Sequence, residues 1–219
     1  AGIPPADVDV TRDDKGNAVV YKYKEENDEN VDRGQANECN RVRTANRYLE
    51  RILYGNRETL LNEAHYRPRF IPQGELDKVD WLFEVVFDYD EGHYEEVNPD
   101  APPAEQRLVR APASRARSWP VRPDPFSAYR AGFEVRTYRR CHRILMFHHF
   151  EELGEGPYLV RATEFNYADL DLRDDPDVEV ELDHQGSTRF ASFIRSITQS
   201  GYVRKDPQPA VARDDGTKC

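Results

Sequence analysis

Hydrophobic and polar residues alternate most clearly between residues 81 and 90. The odd positions there read Trp81, Phe83, Val85, Phe87 and Tyr89, and the even ones Leu82, Glu84, Val86, Asp88 and Asp90. A period of two sends alternate side chains to opposite faces of a strand, so the segment predicts a strand with its odd, wholly apolar side buried. Residues 8–11 and 18–24 flank the turn-rich run Arg12-Asp13-Asp14-Lys15-Gly16-Asn17. They predict a hairpin with Val19, Tyr21 and Tyr23 on one face. Residues 47–54 carry Leu49, Ile52 and Leu53, spacing that also suits a helical stripe. The segment is short and runs into Gly55-Asn56, so it is read as a strand ending there.

Residues 133–150 contain neither proline nor glycine and are rich in large apolar side chains of both parities, which predicts one long strand partly buried on both faces. Such a strand far exceeds the usual length of about 5–6 residues and suits a large barrel or shell better than a small sandwich. Beyond Gly154-Glu155-Gly156-Pro157, residues 158–167 pair with it as a long hairpin. Residues 178–182 add a short strand, and 190–203 are the last candidate, with Phe193 and Ile197 in phase. The fold class predicted is all-β, with long antiparallel strands and hairpins and long irregular loops. Three zones break the pattern: residues 25–46, charged and amide-rich; 92–125, with seven of the 15 prolines; and the acidic run 169–177. Residues 92–124 are expected to be the most mobile internal loop, since proline removes backbone donors and the apolar residues there recur at no useful period.

Composition narrows the function classes. With 41 acidic against 31 basic side chains the net charge is −10, which disfavours a general affinity for nucleic acid or anionic membranes. No run of about 18 apolar residues is present, so direct membrane insertion by a helix is not expected. Aromatic residues make up 11% of the chain, more than a disordered polymer carries, and argue for ordered strands. Cys39, Cys141 and Cys219 are too few and too scattered for a disulfide framework or a zinc site.

Four constellations invite chemistry. Asp88, Asp90 and His93 in the run Asp88-Tyr89-Asp90-Glu91-Gly92-His93 suggest a hard-cation site and, with it, a metal-assisted hydrolase. The oxygen-ligand spacing of a calcium loop is missing, and a solvated strand end explains the same residues. His142, His148 and His149 with Cys141 and Glu151 suggest zinc. On a strand, however, His142 and His148 stand about 20 Å apart at ~3.3 Å per residue and cannot share an ion. Glu179-Val180-Glu181 echoes the Glu-x-Glu of ADP-ribosyltransferases, but Ser187-Thr188 follows it instead of preceding it. Arg107, Arg110, Arg115, Arg117 and Arg122 form a basic, proline-laced stretch with only Trp119 interleaved, which reads as a solvated loop. No catalytic, cofactor-binding or metal-binding residue is therefore assigned, and no cofactor is expected. A ligand-binding β-sandwich with aromatic platforms remains a further alternative.

Longer blocks carry a resemblance. They include Val20-Tyr21-Lys22-Tyr23-Lys24-Glu25-Glu26-Asn27, Asn46-Arg47-Tyr48-Leu49-Glu50-Arg51-Ile52-Leu53-Tyr54-Gly55-Asn56-Arg57 and residues 81–90. Asp124-Pro125-Phe126-Ser127-Ala128-Tyr129-Arg130-Ala131-Gly132-Phe133-Glu134-Val135-Arg136-Thr137-Tyr138 follows, then residues 141–150 and 192–202. In order and spacing these resemble the N-terminal domain of the Salmonella virulence plasmid B (SpvB) family, shared with the B subunits of insecticidal toxin complexes. The resemblance implies a segment of a hollow β-sheet cocoon that encapsulates and delivers a cytotoxic effector, with no chemistry of its own. It implies as partners the remaining domains of the same toxin chain, an RHS-repeat toxin-complex C subunit, and a translocation A subunit reached through a propeller outside this chain. It also implies a toxin made in the bacterial cytoplasm and then secreted, and a domain that extends beyond both ends of residues 1–219.

Overall fold

The computed structural model describes residues 8–97, 108–112, 115–153, 156–171 and 190–203. Its centre is a seven-stranded sheet. In chain order the strands are β1 (Val8–Arg12), β2 (Ala18–Glu25), β3 (Arg47–Asn56), β4 (Trp81–Asp88), the short β5 (Glu95–Glu96), β6 (Val109–Arg110), β7 (Phe126–Ala128) and β8 (Val135–Thr137), then β9 (Arg143–His148), β10 (Tyr158–Asp171) and β11 (Phe190–Gly201). The sheet runs β1-β2-β3-β4-β9-β10-β11, and every neighbouring pair is antiparallel. β5–β6 and β7–β8 form separate two-stranded ribbons on the long excursion from β4 to β9. The helix α1 (Gln73–Leu76) is a single turn. The fold is all-β and antiparallel, as the period-two pattern predicts.

Local chemistry explains the hairpins. Between β1 and β2 the Asp13 carboxylate accepts from the backbone N–H of Lys15 and of Asn17 at 3.0 and 2.8 Å, closing the turn. Gly16, at φ +86°, fills a position where a Cβ would meet Leu61 and the backbone of residue 60. β3 does not stop at Gly55-Asn56. It continues through both, Asn56 pairing with Trp81 while its side chain accepts from the Ala18 N–H and donates to the carbonyls of Gly16 and Glu58.

Residues 133–150 are not one strand. β8 and β9 belong to different sheets, and residues 138–142 separate them. The reason is electrostatic. Arg136 and Arg139 turn into a buried ionic cluster, and the Tyr138 N–H donates to the Tyr48 hydroxyl at 2.9 Å where a continuous ladder would have used a backbone carbonyl. The expected strand at residues 178–182 and the acidic run from residue 172 lie outside the described residues. Among the described residues no second large sheet faces the first.

Burial on β4 is opposite to the expectation. The deeply buried side chains inside the strand are the even ones, Glu84, Val86 and Asp88, at 5%, 1% and 0% exposure. Phe83, Val85 and Phe87 are half-buried. Trp81 and Tyr89 are buried, but at the two ends of the strand, under different loops. Apolar parity alone pointed to the wrong side because the chain's own excursions cover the even face. Residues 57–80 bring Leu60, Ile71, Leu76 and Val79 over Ala18, Val20 and Leu53. The excursion after β4 brings Tyr94, Val109 and Ala111 over Val86, Leu145, Phe147 and Ala162.

Candidate functional site

The sheet register defines two faces of contrasting chemistry. On the covered face, Val20, Leu53, Glu84, Phe147 and Leu159 line up across five strands, with Arg51, Val86, Leu145 and Ala162 in the next row and Asp88, Arg143 and Glu164 beyond. Polar members of these rows are paired, as burial requires. Glu84 is held by Arg51 and by His149 Nε2 at 2.9 Å. The opposite face carries Val19, Tyr54, Phe83, His148 and Tyr158 in one row, Tyr21, Ile52, Val85, Met146 and Arg161 in the next, and Phe87, Ile144 and Thr163 in a third. Most are apolar and half-buried. Tyr54 stacks on Phe83 at 4.9 Å, and Phe83, His148 and Phe150 meet edge to face. Gly55, at φ +71°, makes room for this stack, since a Cβ there would lie 2.7 Å from the Phe83 ring.

At the end of the covered face an ionic knot ties down the two most polar connections. Arg139 and Glu26 are both fully buried side chains, bonded through Arg139 Nε at 2.9 Å and through Nη2. The guanidinium also donates to the carbonyls of Glu29, Trp119 and Pro120 and lies 4.3 Å from the Trp119 ring. Lys24 approaches the same ring at 3.5 Å and pairs with Glu91, while Trp119 Nε1 donates to Asn27. Arg136 forks onto Glu38, which also accepts from the Tyr138 hydroxyl. Residues 25–46 look unanchored in the sequence because their anchors are carboxylates. Their arginine partners lie 98 and 113 residues away, so no local periodicity reveals the pairs. The one available signal is the density of arginine at residues 136–143, where Arg136, Arg139, Arg140 and Arg143 interrupt the large apolar side chains.

The residues singled out for chemistry do not converge. Asp88 accepts from the Glu91 N–H at 3.0 Å and faces Arg143 at 3.3 Å. Asp90 faces Arg117 and Arg143, and His93 is buried with Nδ1 3.3 Å from the Pro112 carbonyl. Arginine thus occupies the cation's place beside both carboxylates, and the imidazole is directed elsewhere. Among the described residues no three His, Cys, Asp or Glu side chains are grouped to hold a metal ion. His148 lies on the open face, His149 on Glu84, and His142 against Tyr167 at 5.8 Å. Burial, reinforced by Arg140 and Arg143, lowers the His142 pKa. Burial, together with nearby Asp88, pushes the Cys141 thiol up to about 12, which disarms it as a nucleophile. Glu151 sits on an exposed 3₁₀ turn (Glu151–Leu153), and Glu179 and Glu181 lie outside the described residues. Of the basic stretch, Arg115, Arg117 and Arg122 meet Glu29, Asp90 and Asp124, while Arg107 lies outside the described residues.

The fold is an antiparallel meander sheet with one face covered by its own loops, the other apolar and half-buried, and a salt-bridged corner. Residues 8–150 match the family model described as Salmonella virulence plasmid 65kDa B protein, and the chain belongs to that family. The mono(ADP-ribosyl)transferase SpvB of Salmonella typhimurium (strain 14028s / SGSC 2262) is 39% identical over 153 residues, covering 69% of this chain and 23% of that protein. The chain therefore matches about a quarter of the length of that relative. The solved N-terminal domain of effector protein SpvB from Salmonella typhimurium strain LT2 is similar with a TM-score of 0.63 and 30% identity, over 89% of this chain and 50% of that one. A chain of the Photorhabdus luminescens Tc holotoxin pore is similar with a TM-score of 0.50 and 31% identity, over 73% of this chain and 7% of that one. These relatives give the chain a toxin-associated role. The part of SpvB that it resembles in the solved structure is the N-terminal domain.

Proposed function

We propose that the chain is a wall segment of a toxin shell, which helps to encapsulate a cytotoxic effector and deliver it, and that it performs no chemistry of its own. The observation that carries this reading is the asymmetry of the seven-stranded sheet. Its own loops cover one face, and the other presents rows of half-buried aromatic and aliphatic side chains across five strands. A segment that worked alone would cover both faces, because apolar surface left in water costs about 25 cal/mol per Å². A wall segment leaves one face for the adjoining wall or the enclosed chain. The partners on this reading are the remaining domains of the same toxin chain, an RHS-repeat C subunit and a translocation A subunit, and the assembled toxin is secreted.

The test uses the full-length toxin that contains this segment, purified with its effector. In the parent the effector is expected to resist added protease. Val85→Glu with Met146→Glu, both on the open face, should render it cleavable while far-ultraviolet circular dichroism of the toxin stays unchanged. An effector cleaved equally fast in parent and variant would overturn the shell reading.

A further inference from the structure

The outer edge of β1 has features the shell reading does not use. β1 ends the sheet, and among the described residues no backbone hydrogen bond reaches the outer edge of residues 8–11. A cleft of about 200 Å³ runs along this edge. Val8 and Val10 form one wall and Phe70, Ile71 and Leu76 the other. Phe70 is 46% exposed, although it borders an apolar cleft. Open strand edges are templates for another strand, and natural sheets usually blunt them.

Charge identifies the occupant. In this acidic chain Arg33, Arg43, Arg51, Arg117, Arg136 and Arg139 all face carboxylates. At the β1 edge the pattern is different. Arg12 donates only to the carbonyls of Pro68 and Arg69, and Arg67 donates to the Arg12 carbonyl at 3.4 Å. Arg12, Arg67 and Arg69 have no carboxylate partner among the described residues; Arg12 lines the cleft, Arg67 reaches its carbonyl, and Arg69 directly precedes Phe70 of the cleft wall. Arg12 shares the parity of Val8 and Val10, because Arg12 pairs with Ala18 and Val10 with Val20 on the covered face. Asp9 has the other parity and also lines the cleft.

We propose that the β1 edge binds an extended polypeptide as an added strand. Two successive apolar side chains on one parity enter the cleft beside Val8 and Val10, and an acidic side chain of the same parity meets Arg12, Arg67 and Arg69. Backbone pairing supplies general affinity, and the alternate side chains supply the selection. Asp9 disfavours acidic residues at the intervening positions. The inference does not depend on the shell reading, which concerns the open face.

The probe is a fluorescein-labelled peptide with valine, valine and glutamate at alternate positions and threonine between them, titrated into the 219-residue chain. Binding is read by anisotropy and the site by amide hydrogen exchange. The expected result is saturable binding that slows exchange in residues 8–11. Lysine in place of the peptide's glutamate, or Arg67→Glu with Arg69→Glu in the protein, should weaken binding about tenfold or more. Both arginines are exposed, so the double variant is expected to fold, and an unchanged circular dichroism spectrum checks this. No binding at millimolar peptide, equal binding of the lysine peptide, or protection at β11 instead of β1 would overturn the proposal. So would self-association of the chain that protects the same β1 amides without any peptide.

Discussion

Replacing Arg139 by methionine tests the ionic knot directly. The substitution keeps an unbranched apolar stem against Trp119 and removes the guanidinium. It leaves the Glu26 carboxylate, fully buried, without its cation. The carbonyls of Glu29, Trp119 and Pro120 lose a donor as well. Breaking a buried ion pair on one side costs about 3–5 kcal/mol, and each carbonyl left unsatisfied adds to that. A typical domain has only about 5–15 kcal/mol of stability, so Arg139→Met should bring the chain close to unfolding at room temperature. Adding Glu26→Leu removes the stranded charge, and the double variant should recover about 2 kcal/mol or more relative to Arg139→Met alone. Urea denaturation followed by tryptophan fluorescence measures all four corners of the cycle, with buried Trp119 beside the perturbed site as reporter. An Arg139→Met variant within about 1 kcal/mol of the parent, or a double variant as unstable as the two single losses added together, would refute the argument that this pair anchors residues 25–46.

Three further outcomes are expected. Burial pushes the Asp124 pKa up, but hydrogen bonds from Arg122 and Ser192 prevail and hold it at about 2, below the ordinary 3.8. A depressed folded pKa stabilises above the unfolded value and ceases to do so as pH falls through the folded one. Asp124→Asn should therefore be less stable than the parent at neutral pH, with the gap closing between about pH 4 and pH 2; a gap that persists at pH 2 in thermal melts contradicts this. Limited trypsin digestion should cut first between residues 107 and 117 and later within β4, as mass spectrometry of the early fragments will show; early cleavage inside β4 would contradict this. The isolated chain should bind a hydrophobic dye through its open face, and Phe83→Ser with Met146→Ser should reduce the fluorescence gain by about half or more. Unchanged dye binding in that variant would place the exposed apolar surface elsewhere.

Strand existence was legible from the residues alone. The period-two run of residues 81–90, the Asp13-to-Asn17 turn and the proline-free stretches each name a strand or a turn, because local sterics and side-chain alternation act within a few residues. Antiparallel order follows in part, since short turns join neighbours. The blocks shared with the SpvB family were equally visible, being long and collinear. Which face of β4 is buried was not legible. Phe83, Val85 and Phe87 outweigh Glu84 and Asp88 in hydrophobicity, yet residues 57–80 and, after β4, Tyr94, Val109 and Ala111 settle on the even side, and no property of β4 itself fixes where those loops land. The break after Thr137 was hidden for the same reason. Arg136, within β8, and Arg139, just beyond it, turn to Glu38 and Glu26, carboxylates contributed about a hundred residues earlier in the chain. Asp88, Asp90 and His93 look like ligands in one dimension because they are close in sequence; in three dimensions Arg143 and Arg117 reach the two aspartates and the imidazole turns to Pro112. The sequence determined the elements, whose causes are local. The tertiary structure decided which faces and charges meet, because burial and ion pairing depend on residues that only the folded chain brings together.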